Sequence, residues 1–160
     1  MKRPWNIVSP TVYSLLTYDS KKQLNMNICT YVSAISMKPK MYCIAIDYNS
    51  LTYQNLINNS CEVILQLLGQ ENSNVVRKLG KSSGFKSNKE NYLAKKDLLS
   101  SYKDHRVLKN INGLLVLKQK KKIEYLGDHA LFIFDVVGFK TFSENPCLSF
   151  QDLVNQKIIL

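Results

Sequence analysis

Apolar and polar positions along this chain alternate in short runs rather than at helical spacing. Residues 11–18, "TVYSLLTY", are rich in β-branched and aromatic side chains and stop at the polar "DSKKQ", which predicts a strand entering a hairpin turn. A long second strand is expected over 24–36, "LNMNICTYVSAIS", ended by Pro39, and a third over 41–48, "MYCIAIDY". In "NSLTYQNLINNS", Asn49 or Ser50 can cap a short helix whose Leu51, Leu56 and Ile57 share a face. Residues 61–69 read as a strand, and "ENSNVVRKLG" as a short helix with Gly80 just past its end. From 81 to 110 the pattern weakens into a Lys/Ser/Asn-rich surface excursion with helical pieces, anchored by Phe85, Tyr92 and Leu98. Two long strands, 113–125 and 129–142, close the core around a Leu126-Gly127-Asp128 corner, and the tail from 148 is amphipathic enough to dock. Successive strands with two short helices at their edges predict a mainly β, antiparallel barrel forming one domain over 1–160.

Charge changes this picture in one place. The net charge of +10 is concentrated between Arg77 and Lys122, where fourteen Lys and Arg face only Glu90, Asp97 and Asp104. Such a stretch is either a solvated basic face or a field that attracts phosphate-bearing molecules or nucleic acid. The four cysteines form no CxxC pair and show no ligand spacing with His105 or His129, so no metal site is expected. No apolar run approaches a membrane span, and no apolar segment follows the initial Lys-Arg pair. A soluble, reduced, cytoplasmic protein is the expectation.

Glycine spacing matches neither GxGxxG nor GxxxxGK[ST], which excludes two common nucleotide sites. Two other places can carry chemistry. In "DYNSLTYQNL" the hydroxyls of Ser50 and Thr52, beside Asn49, meet the free amides of a helix start, which suits an anion as well as it suits plain capping by Ser50. In "YLGDHALFIFDV" His129 stands where a polar corner meets a buried strand, so it either faces a cavity or satisfies the corner.

Taken together, "NMNICTYVSAISMKP", "DYNSLTYQNL", "LGKSSG" and "YLGDHALFIFDV" resemble, in order and separation, the flavin reductase family of FMN-binding split barrels. The family segment N-L-A-P-Y-S-Y-F-N-A-V-S-S-D-P-P lines up with residues 25–40, with identities or near-identities at Asn25, Thr30, Tyr31, Ala34, Ile35, Ser36 and Pro39. S-x-T-x-x-N falls on Ser50, Thr52 and Asn55, and G-D-H-x-L-F on Gly127, Asp128, His129, Leu131 and Phe132. The chain departs from the pattern at Asn27-Ile28-Cys29, Lys38 and Lys40.

The resemblance implies a six-stranded split β-barrel with short flanking helices that binds FMN, with FAD as the second choice. It implies that Ile28, Cys29, Thr30, Tyr31, Val32 and Ser33 run along the flavin ring. Ser50 and Thr52, next to Asn49, would hold the phosphate, with Lys81 and Lys89 nominated to meet phosphates. His129 would be the catalytic-site residue beside a nicotinamide ring supplied by NADH or NADPH. A homodimer with the cofactor at its interface, and a partner oxygenase that receives reduced flavin, are also implied. Two further readings stand beside this flavin reductase: an FMN-binding electron-transfer or carrier protein, and a basic barrel that stacks single-stranded nucleic acid on Tyr92 and Tyr102.

Overall fold

In a computed structural model, which describes residues 1–125 and 127–159, the chain builds one large antiparallel sheet with short helices on its flanks. The sheet consists of β1 (Tyr13–Tyr18), β2 (Leu24–Cys29), β3 (Val32–Met37), β4 (Lys40–Asp47), β5 (Val63–Leu67), β8 (Gly113–Ile123) and β9 (His129–Thr141), in the order β2-β1-β5-β8-β9-β4-β3. A separate hairpin joins β6 (Leu99–Tyr102) to β7 (His105–Leu108). The helices are α1 (Leu51–Asn58), α2 (Ser73–Lys81), α3 (Lys89–Lys95) and α4 (Phe150–Asn155).

Seven strands stand where six are expected, because the predicted strand over 24–36 is two. It breaks at Thr30 and Tyr31, after which β2 pairs with β1 and β3 pairs with β4. These two pieces, consecutive in the chain, form opposite edges of one sheet. A two-residue connection cannot span a flat seven-stranded sheet, since strands lie about 4.8 Å apart, so the sheet must curl until its edges approach each other at the break. It remains an open, curled sheet rather than a closed barrel, with no ladder between β2 and β3 among the described residues.

The continuous apolar runs follow from burial on both faces. Leu16, Ile64 and Val116 enter one core with α2, α3 and α4, while their neighbours Leu15, Leu65 and Leu117 enter a second core inside the curl. A strand covered on both sides has no polar face to display. In β9, by contrast, Ala130, Phe132 and Phe134 are buried and the residues between them are half-exposed, which is the alternation of a strand with one wet side. Helices α2 and α3 pack against the edge strand β2, which shields a strand that would otherwise offer unpaired backbone groups.

Two local expectations change. Gly80 does not cap α2: the helix continues to Lys81, Ser82 is its C-cap, and Gly80 lacks the left-handed backbone of a C′ glycine. The segment from 81 to 110 is not mainly loop, since it contains α3 and the β6-β7 hairpin, whose Leu93, Val107 and Leu108 complete the first core.

Candidate functional site

Where the β2–β3 break, the end of β4, the start of β9, the start of α1 and the end of α2 come together, they enclose a cavity of about 540 Å³. Each element arrives there for a local reason. Ser50 is the N-cap of α1: its Oγ accepts the Tyr53 amide at 3.1 Å and donates to the Asp47 carbonyl at 2.7 Å, tying the helix start to the end of β4. The amides of Leu51 and Thr52, in the first turn, have no intrahelical acceptor. Thr52 is buried, and its Oγ1 accepts Asn25 Nδ2 of β2 at 3.2 Å. One turn on, Asn55 Nδ2 donates to Thr17 Oγ1 of β1 at 3.0 Å. These two buried amide–hydroxyl pairs set α1 on the β1-β2 edge, since either partner left alone would be an unsatisfied polar group in the core.

The chain after α2 closes the other side. A Cβ on Gly84 would lie 2.7 Å from Asn25 Oδ1 and 2.9 Å from Leu51 Cβ, so only glycine lets the Ser82-Ser83-Gly84 loop lie against the start of α1. Lys81 is exposed at the rim. Lys89 is 6 % exposed, and its Nζ donates to the Met26 and Leu79 carbonyls at 2.9 and 2.7 Å. Burial, reinforced by the nearby Lys78 charge, lowers its pKa to about 8. Lys89 is therefore neither a solvated surface lysine nor a long arm free to reach out. It is a buried ammonium on the cavity wall that joins α3 to β2 and to the end of α2.

His129 begins β9 and faces the cavity beside Tyr31, their rings meeting edge to face at 5.4 Å. Its Nδ1 lies 2.6 Å from Asp128 Oδ1. The Asp128 carboxyl is held below the usual carboxylate range by that hydrogen bond and by the imidazole charge. With Nδ1 committed to Asp128, Nε2 is the ring nitrogen left for a ligand. Tyr31 is itself 65 % exposed at the break, where its carbonyl accepts the Ala45 amide at 3.0 Å.

The structure thus brings Ile28, Cys29, Thr30, Tyr31, Asn49, Ser50, Thr52, Lys81, Lys89 and His129 to one cavity. Val32 and Ser33 are not among its walls. Once the chain turns into β3 it runs along the far edge of the sheet, where Val32 packs into the inner core and Ser33 is exposed, its Oγ donating to the Ala34 carbonyl. Asn27, Asp47 and the Ser82-Ser83-Gly84 loop also line the cavity, although the loop's "LGKSSG" entered the resemblance and Asn27 counted as a departure from it without either being given a place in the site. The small polar turn "KSSG" directly after a helix was the available signal for the loop. Tyr92 and Tyr102, the stacking platform of the nucleic-acid reading, are half-buried against the first core, with Lys78 and Lys103 over their rings. They offer no pair of open faces.

The curled antiparallel sheet is a fold that the chain shares with known proteins. The model of the flavin reductase like domain matches residues 7–156, and the chain belongs to that family. No curated protein matches its sequence. Among solved structures it is similar to an FMN-binding protein from Thermus thermophilus with bound 1-cyclohex-2-enone, at a TM-score of 0.74 and 15 % identity over 88 % of this chain and 75 % of that one. The styrene monooxygenase flavin reductase of Pseudomonas putida S12 superposes with a TM-score of 0.72 and 14 % identity, covering 89 % and 86 % of the two chains. An NADH:FAD oxidoreductase of Streptomyces globisporus C-1027, in complex with NAD and FAD fragments, gives 0.73 and 12 % over 89 % and 81 %. Among the described residues no helix is long and apolar enough to cross a membrane.

Proposed function

We propose that the cavity holds a flavin, with FMN as the minimal ligand, and that the protein is an oxidoreductase reducing it with NADH or NADPH. The observation that carries this reading is the single cavity joining the α1 helix start to the β2–β3 break and to His129. Its volume of about 540 Å³ lies in the range of cofactor sites. Its donor set suits a phosphate at one end: the Leu51 and Thr52 amides, the Thr52 hydroxyl proton, the loop serines and Lys81, with the Lys89 ammonium in the wall. When bound, the flavin supplies the hydride-accepting chemistry.

The chain's own residues position and exclude. The backbone amides at Thr30 and Tyr31, outside the strands on either side of the break, can meet a polar ring edge. Asp128 holds the His129 ring in one orientation, and Tyr31 packs on its edge, so His129 can steer a nicotinamide into near-contact geometry without exchanging a proton with carbon. Reduced flavin then either stays in the protein or passes to a partner oxygenase.

A homodimer is part of this reading. The tail does not leave its apolar residues for a partner, because Leu148 and Leu153 are buried in the first core and Ile158 and Ile159 pack against it. On the sheet itself Ile35 and Met37 of β3 and Val137 and Phe139 of β9 are exposed, and a second copy would cover them. Light scattering near 37 kDa, twice the 18.4 kDa chain, is expected; a monomer at micromolar concentration refutes the dimer.

The test of function is a visible-spectrum titration with FMN, followed by nicotinamide oxidation with NADH and NADPH in turn. Flavin binding with turnover supports the reductase. Binding without turnover favours the electron-carrier alternative, and no binding removes the flavin reading.

A further inference from the structure

We infer that the flavin this protein prefers is an adenine dinucleotide, FAD, whose adenylate half lies in a second groove between α2 and α4. The inference rests on the flavin reading above and extends it. The groove, about 280 Å³, is lined by Ile28, Val76, Phe150, Leu153 and Ile159, and it shares Ile28, Thr30, Gly80 and Lys81 with the main cavity. The two spaces therefore adjoin across one saddle, and the saddle is Gly80.

Nothing in the backbone requires glycine there. Gly80 lies in the last turn of α2, just before its end at Lys81. Its φ is not in the left-handed region, and an added Cβ would meet only Ile28, at an ordinary 3.6 Å. The contrast with Gly84, where a Cβ would be blocked at 2.7 Å, is plain. What the missing side chain at Gly80 leaves is open space on an exposed helix face, between the two pockets.

The walls suit an adenylate. Phe150, 42 % exposed, and Val76, Leu153 and Ile159 offer an apolar slot for a base, for which an aromatic ring is a stacking partner. Arg77 and Lys81, four residues apart on the exposed side of α2, flank the route and complement phosphates. Among the described residues neither is salt-bridged to a carboxylate. Arg77 is held in place by the Lys157 and Ile158 carbonyls, to which its guanidinium donates at 3.2 and 3.4 Å. FMN would leave this charged, apolar slot unused.

The experiment compares FAD and FMN affinities for the wild type, Gly80→Met and Phe150→Ala, each checked for folding by circular dichroism. The wild type is expected to bind FAD about tenfold or more tighter than FMN, the value of one good base–aromatic stack. Gly80→Met, which fills the saddle, should bring the FAD-to-FMN affinity ratio down to about one. Phe150→Ala, at a residue that is not among the walls of the main cavity, should lower the ratio about fivefold or more, and it keeps the test decisive if the glycine variant misfolds. A wild type that binds FMN and FAD equally, or variants that leave the ratio unchanged, overturn the inference while leaving the flavin reading intact. A wild type that binds neither flavin fails at the earlier step. Competition by ADP against the nicotinamide substrate, with FAD and FMN equal, would assign the groove to the other nucleotide and so overturn it as well.

Discussion

Replacing Lys89 with Met probes the buried charge beside the cavity. In the folded chain burial lowers the Lys89 pKa from 10.5 to about 8. A folded-state pKa below the unfolded value means the unfolded chain holds more protons between these two pH values, so stability rises with pH through that window. Below about pH 8 both states are protonated and the folded state carries the full cost of the buried ammonium. Between pH 7 and 9 the wild type should then gain about 1.4 kcal/mol, one pKa unit of differential protonation. The Met variant, with nothing to titrate there, should not. Titrations of tyrosines and cysteines common to both chains cancel in the difference. At pH 7 the variant loses two charge-assisted bonds, to Met26 and Leu79, but is relieved of burying the charge, so a net change within about 2 kcal/mol is expected. Urea unfolding of both proteins at three pH values measures this directly. Parallel curves from pH 7 to 9 would refute the buried-ammonium account. A phosphate-bearing ligand in the cavity should supply the missing negative charge and flatten the wild-type rise.

Three further outcomes follow from the same geometry. Ser50→Ala with Thr52→Ala should weaken FMN binding by about 1.5–3 kcal/mol in a flavin titration, the value of the Thr52 bond alone because the Ser50 hydroxyl is already committed to Asp47 and Tyr53, and the lost N-cap should cost about 1 kcal/mol of stability; unchanged affinity would remove the phosphate from α1. His129→Ala should lower kcat/KM for the nicotinamide about tenfold or more, a larger fall than in FMN affinity. A loss of melting temperature and flavin affinity together, with turnover per bound flavin unimpaired, would make the histidine structural. Gly84→Ala should destabilise the fold by about 1–3 kcal/mol, because its Cβ would press Asn25 and Leu51 where the loop meets α1; an unaffected melting curve would show that the loop has room to move.

Most of the cavity was legible because its residues are punctuated locally. Ser50 precedes an apolar helix face, and "GDH" precedes a buried run, so cap and corner can be read from a few neighbouring positions. Ladder partners are not local. Nothing around Thr30 and Tyr31 marks the break, because both flanks are equally extended and β-favouring, and only the pairing of β2 with β1 and of β3 with β4 separates them. That one decision moved Val32 and Ser33 out of the site and turned six strands into seven.

Sequence alone determined the β character, the two long closing strands, the α1 cap and the family, since strand alternation, capping chemistry and motif order are short-range or linear properties. Tertiary structure decided the rest. It sent the apolar tail inward, where Leu148 and Leu153 find a core that no sequence window contains. It also turned Lys89 from one of fourteen basic residues in a charged stretch into a buried cation, because two carbonyls from distant elements, Met26 and Leu79, meet at its Nζ. Burial and partner choice are sums over contacts made across the fold, and the free energy of a charge or an apolar side chain depends on those contacts more than on its neighbours in the chain.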